Sequence, residues 1–369
     1  MKNYFIENYK TSQYQVNLFL LFIERAIPIL KIGGQFSMII PNSLLMVRSA
    51  QKLRKHLLEE TALHEIINLL GNTFEGINVE PIIISGKKES KDHSNKIAIY
   101  INEGTEFILS HSKEQNLFMQ NEGSELTVFS NTASDELTNK LKSGSLILDG
   151  LVKIKAGLKA YESGKGNPKQ TPEEVKARPY DYSHKFDKNT YEYLEGKDVC
   201  RYELKWSGTY LKYGEHLAAP RTFDIFSGKK IIIREITGKY PQSIIATYTE
   251  GIYLFNMSNI AIVENEKSTV SLKYILAILN SRLMSHYFVN NTAKSVRQLF
   301  PKLILEDLRK FPVKNISAKE QKPFIDLVDK VISQKQQGKD TTDNEKKIDE
   351  LVYTLYNLTA EEIAIIENK

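Results

Sequence analysis

Residues 22–45 read FIERAIPILKIGGQFSMIIPNSLL, and the order of those letters sets the class of fold. Over residues 17–31, Leu18, Leu21, Phe22, Ile29 and Leu30 recur at helical spacing, and Gly33-Gly34 ends the helix. The next run, Gln35–Pro41, is short, apolar and β-branched toward its end, as a strand buried on both faces should be. Asn42-Ser43 then predict the cap of a second helix continuing to Glu60. Residues 64–70 (HEIINLL) and 80–85 (EPIIIS) read as two further strands, joined by a loop carrying Gly71, Phe74 and Gly76. Such alternation predicts an open α/β sheet covered by helices. Residues 96–101 and 106–110 read as outer strands and 134–141 as a short helix, all scaffold.

Further along, the composition changes. Residues 151–315 hold 27 Lys and Arg against 17 Asp and Glu, a net of +10, whereas the whole chain is only +5. The same stretch holds 13 of the 19 tyrosines. Between Tyr191 and Arg234 aromatic side chains alternate with Lys and Arg, and the single Trp (Trp206) and single Cys (Cys200) lie among them. Cations neutralise phosphates, and aromatic faces pack on sugars and unstacked bases, so this pattern suits a nucleic acid. An ordinary β-rich domain with a solvated basic face gives the same composition, and the charge does not choose between DNA and RNA.

Length and apolar content allow about two domains. One cysteine excludes an internal disulfide framework and fits a reducing compartment; with no His near it in sequence, Cys200 reads as a small buried side chain and no metal site is expected. The longest apolar run, near residues 16–23, is far short of a membrane span of roughly 20 residues, and the polar opening does not read as a signal peptide. A cytoplasmic protein is expected. The end of the chain is helical: residues 318–336 and 343–356 carry apolar residues at helical spacing across a polar linker, and Ser317 with Glu320 forms a capping box.

The series FIERAIPILKIGGQFSMIIPNSLL, RKHLLEETALHEIINL and NTFEGINVEPIIIS resembles the second half of the catalytic domain of gamma-class adenine-N6 DNA methyltransferases, the TaqI-type and type IIG restriction-modification enzymes. Residues 154–157 (IKAG), 193–202 (YLEGKDVCRY), 229–235 (KKIIIRE) and 274–281 (YILAILNS) with Phe288 resemble, in order, that family's specificity domain, and residues 348–367 its closing helix and Thr-x-x-Glu turn. The fold so implied is α/β, the second half of a Rossmann-like methyltransferase sheet, followed by an α+β specificity domain and a C-terminal helical hairpin. The implied domains are 1–149, methyltransferase with connector; 150–316, target recognition; and 317–369, helical. The resemblance assigns Phe74 to stacking on the extruded target adenine, with Val79, Ile83 and Ile84 on the following strand. The alternative for Phe74 is packing between two strands.

The family's Asn/Asp-Pro-Pro-Tyr/Phe tetrapeptide does not occur, nor does a glycine-rich turn after an early strand for S-adenosylmethionine; residues 163–167 (SGKGN) sit in a polar loop and read as a flexible turn. No catalytic residue is therefore expected in this chain. The resemblance implies a carboxy-terminal portion, or one piece of a split enzyme, whose methylase half and cofactor site lie in cis upstream or on another chain, with or without a nuclease. Taken alone, the chain is expected to be inactive and to bind no S-adenosylmethionine. Lys197, Arg201, Lys212, Arg221, Arg234, Lys239, Lys294 and Arg297 are the DNA-binding candidates, with Asp198 placed to orient Arg201 for bidentate contact. The reading is the recognition and base-flipping side of a site-specific adenine methyltransferase acting on double-stranded DNA; a non-catalytic specificity subunit and an RNA-binding protein are the alternatives.

Overall fold

A computed structural model describes residues 2–11, 17–69, 74, 79–89, 95–104, 106–128, 130–292 and 302–367. The chain divides into two compact units, Met1–Glu136 with Asn290–Phe300, and Leu137–Val289 with Pro301–Lys369.

In the first unit, helix α1 (Leu18–Ile29) buries Leu20, Leu21, Ile23 and Ile27. Gly33 then turns the chain with φ +78°, a conformation only glycine adopts without strain, and Gly33 N–H reaches the Lys88 carbonyl at 2.7 Å. Strand β1 (Gln35–Pro41) follows over the residues expected. Helix α2 (Gln51–Glu60), β2 (Thr61–Asn68), β3 (Pro81–Lys88), β4 (Lys96–Glu103) and β5 (Glu106–Glu114) complete a mixed sheet in the order β1-β3-β2-β4-β5. Only β2 and β4 pair in parallel. Residues that share a face follow the register: Met38 lies opposite Ile84, and Ile84 opposite Ile66. With Ile40, Ile82, Ile97 and Ile99 they meet Leu53 and Leu57 of α2 in one core.

Two expectations change here. β1 is an edge strand with one inward face, so Gln35, Ser37 and Ile39 are exposed, and it is not buried on both sides. The helix expected from residue 42 is interrupted: Asn42–Leu45 and Arg48–Ala50 form tight 3-10 turns and the α-helix begins at Gln51. Arg54 supplies the reason. Its guanidinium, 1% exposed, donates to the carbonyls of Leu44 (3.0 Å) and Val47 (2.7 Å), which a continuous helix would use for its own ladder, and to that of Gly123 at 2.8 Å. Nor does Asn42 cap a helix; its amide donates to the Glu80 carboxylate at 3.1 Å.

In the second unit, β6 (Val152–Ala156), β7 (Asp181–Tyr182), β8 (Thr190–Leu194), β9 (Tyr210–Lys212), β10 (Lys230–Arg234), β11 (Ala246–Thr249), β12 (Leu254–Phe255) and β13 (Asn259–Glu264) build two four-stranded sheets. One runs β11-β10-β13-β6 and the other β12-β8-β9-β7. β10 is the strand buried on both faces: Ile231 and Ile233 enter a core with Ile260 and Ile262, whereas Ile232 enters a second core with Phe226, Phe255 and Leu211. Three consecutive isoleucines fit only where both sides of a strand are covered. Helix α3 (Leu272–Asn280) packs on the first sheet, α4 (Ala318–Gln336) and α5 (Thr342–Leu355) pack on α3, and α6 (Ala360–Glu367) follows. Phe324, Val328 and Val331 of α4 and Ile348 and Val352 of α5 belong to the same core as Ile231, so the C-terminal helices are one packed body with this sheet. The capping box at Ser317 and Glu320 is formed as expected. No described helix is long and apolar enough to cross a membrane.

Candidate nucleic-acid interface

Most of the aromatic side chains in the basic stretch face inward. Tyr193, Tyr202 and Phe226 are buried, and Trp206 is half-buried, its indole N–H donated to the Thr209 carbonyl at 2.9 Å. The alternation that suggested a stacking surface between Tyr191 and Arg234 is largely the period-two pattern of strands packing on a core. Cys200 is half-buried and forms no disulfide.

The candidate cations fall in different surroundings. Lys197 stands on the tight turn Gly196–Asp198, two-thirds exposed, 3.2 Å from the Glu195 carboxylate. Arg221, Lys239 and Arg234 keep part of their hydrogen-bonding capacity: Arg221 and Lys239 are exposed, Arg234 is half-buried, and the Nε of each Arg donates to a nearby carbonyl, Gly157 and Ile236 respectively. Lys212 closes on Asp187 at 2.9 Å, a contact that holds the Asp187 carboxyl down at about 2 and raises the lysine. Lys294 and Arg297 lie outside the described residues.

Arg201 is held within the fold. Only 14% of its side chain is exposed; Nη2 meets the Glu345 carboxylate of α5 at 2.7 Å, and Nη1 donates to the carbonyls of Asn280 (2.8 Å) and Ile244 (3.3 Å). A guanidinium so held ties α5 to the body of this unit through both Nη atoms. Asp198 does not orient it. That carboxylate is buried and accepts the N–H of Glu195 (2.8 Å) and the hydroxyl of Ser207 (3.3 Å), shaping the turn that carries Lys197. Residues 163–167 form a turn, as read from the sequence. Gly164 N–H donates to Gln170 O at 2.9 Å, and a Cβ on Gly166 would stand 2.4 Å from the His216 carbonyl, so the two glycines fit a tight turn packed on the residue 216 backbone.

The Arg201 cluster continues along α5. Asp349, 13% exposed, accepts the backbone N–H of Arg282 at 2.8 Å, yet burial pushes its carboxyl up to about 6. A carboxyl whose folded pKa exceeds its unfolded value stabilises the fold fully below the unfolded pKa and loses that contribution as pH rises through about 6. Asp349→Asn, keeping an acceptor for the Arg282 N–H, is therefore expected to match the parent at pH 4 and to exceed it by about 1–2 kcal/mol at pH 8 in urea unfolding. Equal stabilities at pH 8 would show that the charged form costs nothing here.

In the first unit Phe74 is 44% exposed. Val79 is 40% exposed, whereas Ile84 is buried. Glycines 71 and 76, on either side of the ring in sequence, lie outside the described residues.

Two segments of the chain each match a family. Residues 1–74 match the Eco57I restriction-modification methylase and residues 191–313 the TaqI-like C-terminal specificity domain. The chain thus joins a segment of a restriction-modification DNA methyltransferase to a target-recognition domain. It is homologous to the type IIG class of these enzymes. A Methanocaldococcus jannaschii protein named as a type II restriction enzyme and methyltransferase is 26% identical over 350 residues, 93% of this chain and 29% of its own length. The type II restriction enzyme and methyltransferase RM.BcgI of Heyndrickxia coagulans is 30% identical over 95 residues, 25% of this chain and 15% of its own. The chain therefore spans under a third of either relative. The type IIL restriction-modification enzyme MmeI, solved in complex with DNA, superposes with a TM-score of 0.66 over the whole chain and 54% of its own, at 10% identity, a likeness of fold.

Proposed function

We propose that this chain supplies the DNA-recognition and base-flipping side of a site-specific adenine-N6 methyltransferase in a restriction-modification system. Its sheet β1-β3-β2 would be the second half of a Rossmann-like methyltransferase sheet, the remaining methylase half being supplied in cis or by another chain. The observation that carries the reading is the pairing of a methylase segment with a specificity domain whose exposed cations include Lys197, Arg221 and Lys239. The whole enzyme would use S-adenosylmethionine as methyl donor. Among the described residues no glycine-rich turn opens a helix, so none fits that cofactor and the chemical step is not assigned to this chain.

Selection from a random duplex library tests recognition: the full chain is expected to enrich one short sequence. Failure to enrich any duplex, or preference for RNA competitors, overturns the reading.

Phe74 tests the flipping side. With the catalytic half supplied and 2-aminopurine in place of the target adenine, Phe74→Ala is expected to lose roughly 1–3 kcal/mol of extruded-base stabilisation, and Phe74→Trp to keep most of it, since any broad π-face serves. Thermal melts of both should match the parent because the ring is open to solvent. Unaltered base extrusion in Phe74→Ala would remove the residue from the pocket.

A further inference from the structure

Just before the stretch that matches the specificity-domain family, residues 183–189 (SHKFDKN) join the edge strand β7 to β8. The loop is held in one shape by Asp187: its carboxylate accepts the N–H of Asn189 (2.8 Å) and the hydroxyl of Thr190 (2.8 Å) and pairs with Lys212 at 2.9 Å, while its carbonyl accepts the Thr190 N–H at 3.2 Å. On this frame Phe186 remains 55% exposed. Its ring is nonetheless supported from behind. Tyr182 of β7 stacks on it with centroids 4.8 Å apart and planes 14° from parallel, and the Lys212 ammonium lies 5.4 Å from its centroid. His184, Lys185 and Lys188 are all exposed on the same seven-residue loop.

A large ring exposed on a loop costs solvation free energy, and nothing in the unit's cores requires it there. A rigid mount, a parallel aromatic backing and flanking cations together match the flat face of a nucleobase and the phosphates on either side of it; an apolar protein surface would not call for the cations. We propose that Phe186 stacks on a base of the bound DNA, with Lys185 and Lys188 on the adjoining phosphates. This rests on the DNA-recognition reading but adds a contact that lies outside the family-matched residues. Tyr182 and Lys212 act as positioning residues for the ring, and Asp187 fixes the loop. Lys212 therefore serves the interface by aiming an aromatic as well as by its charge.

The test is fluorescence anisotropy of the full chain on a fluorescein-labelled mixed-sequence duplex, titrated between about 50 and 200 mM salt. Phe186→Ala is expected to weaken binding about tenfold at every salt concentration and to leave the salt slope unchanged, because a neutral ring releases no counterions. Phe186→Tyr should bind like the parent. Lys185→Ala with Lys188→Ala should reduce the slope by about 2. A thermal melt of each variant within a degree or so of the parent shows that the loop alone was altered. Parent binding with Phe186→Ala at parental affinity overturns this proposal and leaves the function standing. If the parent binds no duplex, the functional reading fails first.

Discussion

Arg201→Ala is expected to cost about 3–5 kcal/mol of folding stability while leaving the salt dependence of duplex binding where it was. The guanidinium meets the Glu345 carboxylate at 2.7 Å and also donates to the carbonyls of Asn280 and Ile244. Removing it strands a carboxylate that is 14% exposed. Burial raises the Glu345 carboxyl, but Arg201, with Thr341 and Lys335, holds it below its ordinary value, so the anion depends on this company. Thr341 (2.7 Å) and Lys335 (3.6 Å) remain in the variant and soften the loss, which keeps the expectation within the range for breaking a buried pair. Urea unfolding of four proteins decides it: parent, Arg201→Ala, Glu345→Gln and the double variant. A buried pair predicts that the double variant is more stable than the sum of the two single losses, because it no longer holds an uncompensated charge. Loss of less than about 1 kcal/mol in Arg201→Ala, together with a shallower salt slope, would return Arg201 to the DNA face.

Arg201 also shows what a sequence conceals. Its partner lies 144 residues away, so no local pattern distinguishes it from Lys197, four residues earlier and exposed. Asp198 sits between them and looks like a natural partner, yet three-residue spacing served the backbone of its own turn instead. Elements announced by local chemistry were legible: β1 occupies the residues read from its apolar run and the Gly33-Gly34 turn, and α4 starts where Ser317 and Glu320 cap it. What failed required knowing the neighbour. β1 reads as doubly buried but stands at a sheet edge, and the helix after Asn42 breaks because Arg54 takes the carbonyls it needs. The aromatic residues gave a similar lesson. Those between Tyr191 and Arg234 drew attention by their density, yet most fill cores, whereas Phe186, five residues before that stretch, is the exposed ring on a basic loop. Here the density of aromatic residues reports a packed β domain.

Duplex affinity is expected to fall about a thousandfold between 50 and 200 mM salt, the loss that about six phosphate contacts produce. The expectation follows from how the charge is distributed. The net +10 of residues 151–315 includes cations that the fold has already consumed, such as Arg201, and Lys230, whose buried ammonium donates to the carbonyls of Gly228 and Gly251 and is pushed down to about 8 by burial. The exposed cations that remain for phosphates include Lys185, Lys188, Lys197, Arg221 and Lys239, with Arg234 and Lys212 half-buried. Replacing Lys212, Arg221 and Arg234 together by Ala should flatten the log-log slope by about 2.7 if each meets one phosphate, since each contact contributes about 0.9. The fall should be smaller by one contact if Lys212 remains on Asp187 in the complex and only positions Phe186. Anisotropy titrations of the parent and the triple variant on the same duplex separate these cases. A slope near zero for the parent would mean that the basic middle of the chain is a solvated surface, and an unchanged slope in the triple variant would move the DNA to another face of the domain.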